Sequence, residues 1–117
     1  MLCVASAPVN IDSEFRFVVK KGKVVTGSLY RMKRHTMSVP LEEVDCTEEA
    51  AAFAEKVLSD SPMSLPPVHV IDIAMDGDRP SVLEVGCFCC AGLYCCDRHK
   101  VALAVSEAAE EEYLKRT

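Results

Sequence analysis

Two carboxylates face each other across a predicted hairpin. Between Val68 and Gly86, Asp72 and Glu84 each interrupt an otherwise apolar strand, and residues 76–78 (DGD) form the turn. An acidic side chain in such a strand must pair, take up a proton or bind a cation, because an isolated buried carboxylate is costly. Mg²⁺ binds such oxygen ligands together with substrate phosphates. We therefore interpret both residues as candidate metal ligands if the turn brings them to one face; the alternative is a solvated outer face of the sheet.

A second predicted hairpin precedes this one, between Glu14 and Lys33. Its first strand has two alternating faces, which carry Phe15, Phe17 and Val19 on one side and Glu14, Arg16 and Val18 on the other. Residues 21–23 form the turn, and the returning strand contains Gly27, which indicates a bulge or a close approach by a ligand or the backbone.

Two helices are predicted, one before and one after the hairpin between Val68 and Gly86. The first is capped by Asp45 or Thr47 and runs to about Leu58, with apolar residues at helical spacing. The second is capped by Asp97 and occupies residues 98–116. Its predicted buried stripe consists of Val101, Ala102, Val105, Ala108 and Ala109.

The predicted order of elements is hairpin, helix, hairpin, helix, and residues 35–40 break the pattern after the first hairpin. This order is typical of an α+β fold in which an antiparallel sheet of two hairpins carries two helices packed on it. At a length of 117 residues, we expect residues 1–117 to form a single domain.

The composition argues against several classes of protein. A net charge of −5 and a pI of about 5.1 disfavour nucleic-acid binding, since neutralising phosphates requires clustered Lys and Arg. No stretch has the twenty or so apolar residues that span a bilayer. Residues 1–8 lack the features of a signal peptide, so we expect a cytoplasmic protein without membrane contact.

Five cysteines crowd the segment from Cys87 to Cys96. This crowding suits a reducing compartment better than a disulfide framework. Structural zinc sites usually combine two separated ligand pairs, and this segment offers one dense patch, so we do not expect zinc. We do not expect Cys89 or Cys90 to act as a nucleophile, because no histidine has a spacing that would place it beside them.

Three segments follow one another in a distinctive order: SAPVNIDSEFRFVVKKGKVVTGSLYR, VIDIAMDGDRPSVLEVGCF and AGLYCCD. In this order the chain resembles the C-terminal half of the ATP-grasp superfamily, from about Ser6 to the last helix. It is similar in particular to the clade named for its arginine and two lysines, which is common in phage and bacterial genomes.

The resemblance implies roles for six residues. The strand with Glu14 and Arg16 and the strand with Tyr30 and Arg31 would line the nucleotide and substrate cleft. Asp72 and Glu84 would hold Mg²⁺ on the phosphates of ATP, and Arg16 and Arg31 would bind anions.

Chemistry is consistent with the arginine roles, because a planar guanidinium suits phosphate and carboxylate oxygens. The alternative for Arg16 is a weak surface ion pair near Glu14. The alternative for Arg31 is a solvated strand end, since it lies in a basic run with Lys33 and Arg34.

Two departures from the family pattern matter. The metal motif usually reads Glu-x-Asn, and Gly86 stands in the place of the Asn, so one ligand is missing and affinity should suffer. The N-terminal half, which supplies the nucleotide lysines and the adenine hinge, has no counterpart in the resemblance. Lys20, Lys21 and Lys23 do not match those lysines.

The first functional hypothesis is a ligase module. In it, ATP bound with Mg²⁺ phosphorylates a small-molecule carboxylate, and an amine or thiol then attacks the acyl phosphate. We expect it to be incomplete alone and to need a partner chain. The second hypothesis is a non-catalytic half-domain that binds a protein or forms a homodimer through an exposed sheet edge.

Overall fold

The computed structural model describes residues 3, 5, 7, 10–33, 35–44, 47–61 and 64–116. Its regular elements are β1 (Ser13–Lys20), β2 (Lys23–Met32), β3 (His35–Pro40), α1 (Thr47–Asp60), β4 (Val68–Asp76), β5 (Arg79–Cys87) and α2 (Arg98–Arg116). Short 3₁₀ turns follow β3 at Leu41–Glu43 and β5 at Phe88–Cys90.

The strands form one five-stranded antiparallel sheet in the order β3-β2-β1-β4-β5. The β1–β2 hairpin closes at Lys21 and Gly22, which both have positive φ (51° and 83°), as a type I′ turn requires. Gly77 closes the β4–β5 hairpin with φ 61°, and its N–H donates to Asp12 Oδ2 at 2.6 Å.

The two helices cover opposite faces of the sheet. Alternate residues of β1 and β4, such as Phe17 and Ile71, pack against Ala50 and Ala54 of α1. On the other face, Val18 and Val70 pack against α2 and the loop before it. Ion pairs of Lys20 with Glu107 and Glu111 hold α2 over one end of this face, so the end nearer Glu14 is left to a loop and to the candidate site.

The predicted α+β fold is confirmed, and the sheet has one more strand than predicted. The additional strand is β3, which lies where the sequence predicted a break. Its exposed residues do not alternate, so the sequence gives no strand pattern there, and among the described residues it pairs only with β2 at the sheet edge.

Asp97 caps α2 as predicted, accepting the Lys100 N–H at 3.1 Å. Two caps were proposed for α1. Asp45 lies outside the described residues, and Thr47 donates its hydroxyl to Val44 O at 2.9 Å.

The predicted buried stripe of α2 was partly wrong. Val101 and Ala108 are buried, but Ala102 and Ala109 are exposed and Ala104 is buried instead. The many alanines of α2 make its buried face hard to identify from the sequence. Within the described residues, no helix is both long and apolar enough to cross a membrane.

Candidate functional site

Four residues lie side by side across the face of the sheet that carries α2. The register pairs Arg16 of β1 with Ser28 of β2 and with Asp72 of β4, and it pairs Asp72 with Glu84 of β5. Directly paired residues of antiparallel strands project to the same face. Asp72 and Glu84 therefore share a face, with Arg16 on the far side of Asp72. We call this set, Ser28, Arg16, Asp72 and Glu84, the central row.

The Arg16–Asp72 pair is bidentate and largely buried. Arg16 Nε donates to Asp72 Oδ1 at 2.9 Å and Nη2 donates to Oδ2 at 2.8 Å. The two side chains are 15% and 5% exposed. The hydrogen bond to Asp72 raises the pKa of Arg16 above its ordinary value, against the opposing effect of burial. The sequence alternative for Arg16, a surface pair near Glu14, is wrong, because its partner is the buried Asp72.

Arg16 also anchors the loop between β5 and α2. Its Nη1 donates to the Gly92 carbonyl oxygen at 3.1 Å. The guanidinium carbon lies 5.3 Å from the ring centre of Tyr94 and 5.8 Å from that of Tyr30, and these rings stack at 4.9 Å. Such contacts are attractive because the ring faces carry negative charge density.

Two hydroxyl groups of β2 fix the rest of this loop. Cys95 N–H donates to Ser28 Oγ at 3.1 Å, and Asp97 N–H donates to Thr26 Oγ1 at 2.9 Å. The loop is thus held over the face by contacts from both β1 and β2. Four of these contributors had no predicted role: Ser28, Thr26, Gly92 and Tyr94. The sequence signal that could have pointed to Gly92 and Tyr94 is the AGLY motif, which contains both.

A β-bulge places Tyr30 and Arg31 beside the central row. Glu14 pairs with Arg31, but the next pair is Phe15 with Leu29, so Tyr30 is the extra residue. Arg31 Nη1 lies 3.9 Å from Glu14 Oε2, and the Arg31 side chain is 49% exposed. Burial, followed by the charges of Asp72 and Glu14, raises the pKa of the Tyr30 hydroxyl.

Glu84 is exposed, in contrast to Asp72. A second bulge makes Leu83 the extra residue, since Asp72 pairs with Glu84 and Ile73 with Val82. A Cβ placed on Gly86 would lie 3.9 Å from Glu84 Oε1, which shows that the carboxylate reaches toward the position where the family motif has Asn.

Around the central row, the Arg16 guanidinium pairs with Asp72 and the Arg31 guanidinium lies near Glu14, which leaves Glu84 as a carboxylate without an ion pair among the described residues. An unpaired carboxylate favours a cation. Among the residues that the structure describes, no group of three or more His, Cys, Asp or Glu is arranged to hold a metal. Any cation here would therefore take most of its ligands from water or from a substrate, as Mg²⁺ does in nucleotide sites.

The cysteine segment contributes little chemistry to this face. Cys87 and Cys89 are exposed and Cys95 is half-buried. Cys96 is buried, and desolvation raises the pKa of its thiol to about 11. A thiol with such a pKa stays protonated near neutral pH, which is unfavourable for a nucleophile or a metal ligand.

Comparison with protein families shows what the chain is similar to. A family model for an ATP-grasp domain, the second family of the clade named for one arginine and two lysines, matches residues 2–104. No curated protein and no solved structure matches this chain.

Proposed function

Since this chain belongs to the second family of the arginine and two-lysine clade of ATP-grasp domains, we propose that it is a module of a ligase that uses Mg²⁺ and ATP to join a carboxylate to an amine or thiol. One observation carries the proposal: the strand register that aligns Arg16, Asp72 and Glu84 on a single face.

Asp72 and Glu84 are the proposed Mg²⁺ ligands. Both oxygens of Asp72 already accept hydrogen bonds from Arg16. Each carboxylate oxygen has two lone pairs, so a metal contact and a hydrogen bond can share one oxygen. Bound Mg²⁺ would supply charge neutralisation on the phosphate oxygens of ATP. The exposure of Glu84 leaves that carboxylate open to solvent and substrate.

Arg16 and Arg31 are the proposed catalytic, anion-binding groups. Arg16 uses three of its five N–H groups, on Asp72 and Gly92, and the others can donate to a phosphate or carboxylate oxygen. Arg31 is half-exposed and held only at 3.9 Å by Glu14, so it can turn toward a ligand. Glu14 and Tyr30 would line the nucleotide cleft beside them.

The proposed reaction has two steps. A carboxylate oxygen of the substrate attacks the γ-phosphorus of ATP, the bond to the bridging oxygen breaks, and ADP leaves. The amine or thiol then attacks the acyl carbon, inorganic phosphate leaves, and the proton of the nucleophile passes to solvent. Both steps develop negative charge on oxygen, which guanidinium groups held in place can stabilise.

Isothermal titration with ATP and Mg²⁺ tests the proposal. Wild type should bind, and Glu84→Gln should weaken binding at least about tenfold, because even supporting residues of metal sites have effects of that size. Asp78→Asn is the matched control, since it removes an exposed carboxylate from the turn of the same hairpin. No heat at millimolar nucleotide with a folded sample would contradict the proposal for this chain on its own, and equal weakening by both substitutions would contradict the assignment of Glu84.

The second hypothesis, a non-catalytic interaction module, stays a prediction. Light scattering after size exclusion separates the two for this chain. A stable dimer that binds no nucleotide would favour the interaction module, and a monomer that binds Mg²⁺ and ATP would favour the ligase module.

A further inference from the structure

Tyr94 presents an aromatic ring to solvent beside the central row. The residue is 39% exposed, and its backbone has a φ of 49°, in the left-handed region. A residue with a Cβ adopts this region at a cost in energy, and such residues concentrate at ligand sites. The next residue anchors the loop, because the Cys95 N–H donates to Ser28 Oγ at 3.1 Å. The ring is thus held in place although it is not buried.

Neither Tyr30 nor Arg16 covers the outer face of the Tyr94 ring. The two tyrosine rings stack with their centres 4.9 Å apart and their planes at 11°. The guanidinium carbon of Arg16 lies 5.3 Å from the centre of the Tyr94 ring and 5.8 Å from that of the Tyr30 ring. Because these two distances are nearly equal, the guanidinium lies beside the stack and not beyond Tyr94. The face of Tyr94 that points away from Tyr30 can therefore receive another ring.

The Arg16 guanidinium lies within reach of a ligand on that face. One N–H on each of Nη1 and Nη2 remains to donate, and the side chain is 15% exposed. A ring that continued the stack at the same spacing would have its centre about 8 Å from the guanidinium carbon. A carboxylate attached directly to that ring spans this distance. Its oxygens lie about 4 Å from the ring centre, and a hydrogen bond from the guanidinium covers about 4 Å more.

We propose that Tyr94 and Arg16 together bind an aromatic acid whose carboxylate is attached directly to the ring. The ligand ring would stack on the outer face of Tyr94, and its carboxylate would accept from the remaining N–H groups of Arg16. An acid without a planar ring would lose the stack, and a neutral aromatic amide would lose the charge-assisted hydrogen bonds. The inference rests on the proposed function, because it names the class of carboxylate that the ligase module would activate.

Titration of the full chain with sodium benzoate, without ATP or Mg²⁺, tests the inference through the NMR signals of the tyrosine rings. The chain has three tyrosines, and Tyr113 on α2 is 67% exposed, so it serves as the internal control. We expect saturable shifts of the Tyr94 and Tyr30 signals while those of Tyr113 stay in place. Cyclohexanecarboxylate should bind about threefold to tenfold more weakly than benzoate, because it cannot stack. Benzamide should bind at least about tenfold more weakly, because it carries no charge.

Two substitutions of Tyr94, followed through the Tyr30 signals, assign the contact. Tyr94→Leu should remove the preference for benzoate over cyclohexanecarboxylate, because leucine has no planar face. Tyr94→Phe should keep the preference, since the stack depends on the ring and not on the hydroxyl. Tyr113→Leu is the control and should bind both acids as wild type does.

Several outcomes overturn the inference. They are equal binding of the two acids to wild type, a shift of Tyr113 together with Tyr94, and a preference that survives in Tyr94→Leu. Adenosine that shifts the Tyr94 signals where benzoate does not would assign the ring position to the nucleotide and overturn it too. A chain that binds Mg²⁺ and ATP without distinguishing the two acids loses this inference alone. A chain that prefers benzoate but gives no heat with ATP keeps the aromatic-acid site and loses the ligase proposal.

Discussion

Asp72 has both carboxylate oxygens hydrogen-bonded to one side chain, the guanidinium of Arg16, at 2.9 and 2.8 Å. The pair joins the adjacent strands β1 and β4 and is largely shielded from water. A pair of similar bond length but with a single hydrogen bond occurs on the surface, where Arg116 Nη2 lies 2.7 Å from Glu112 and the side chains are 76% and 58% exposed. Burial, rather than bond length, should separate the two in their effect on stability.

Arg16→Ala should lower the free energy of unfolding by about 3–5 kcal/mol, because it leaves the buried charge of Asp72 without a partner. Arg116→Ala should change it by less than about 1 kcal/mol, as is usual for exposed pairs. Urea titrations of both variants measure the difference. The double variant Arg16→Met/Asp72→Leu should recover much of the loss; equal effects of the two alanine substitutions would show that the Arg16 pair is not specially stabilising.

The sequence predicted those parts of the site that depend on strand alternation. The faces of β1 followed from its alternation of aromatic and charged residues, which placed Arg16 away from the α1 core. The sequence alone could not decide whether Asp72 and Glu84 share a face, because that depends on the turn and on the bulge at Leu83. The position of Tyr94 beside Arg16 could not be predicted for a similar reason, since it depends on a loop folded back onto β2.

Gly27→Ala should destabilise the chain by about 1–3 kcal/mol, the usual effect of overpacking. A Cβ at this position would lie 2.5 Å from Phe17 Cδ1 and 2.9 Å from the backbone oxygen of Arg16. The close approach that the sequence predicted at Gly27 is therefore made by the backbone of β1 and a core side chain. Gly86→Ala is the matched strand glycine, where the nearest atom would be Val70 Cγ2 at 3.6 Å. The midpoint temperature of thermal unfolding should be well lower for Gly27→Ala than for Gly86→Ala. The reverse order would contradict the close packing at Gly27.

Cys96 should make stability fall as pH rises above 9. Burial raises the pKa of its thiol from the ordinary value of 9.0 to about 11. Between these values the folded chain keeps a proton that the unfolded chain has lost, so the free energy of unfolding decreases with increasing pH. The contribution is fully present below pH 9.

Urea midpoints at about pH 8 and about pH 10.5 measure this effect. Wild type should lose more stability over that interval than Cys96→Ala, which lacks the thiol. Cys87→Ala is the control, since Cys87 is exposed and its removal should leave the pH dependence unchanged. Parallel pH profiles for wild type and Cys96→Ala would rule out the thiol as the source.

Gly86→Asn should tighten metal binding at the central row, because it supplies an oxygen ligand at the place where the family motif has Asn. The site can accept the side chain, since among the described residues a Cβ on Gly86 would meet Val70 Cγ2 at 3.6 Å and Glu84 Oε1 at 3.9 Å, both ordinary contacts. Titration with Mn²⁺, followed by its electron paramagnetic resonance signal, should show a gain of about tenfold, in keeping with the dependence of affinity on ligand number. Gly86→Ala adds the Cβ without the oxygen and should bind as wild type does. The gain should disappear when Glu84→Gln is combined with Gly86→Asn, whereas a gain that survives this combination would place the metal away from Glu84.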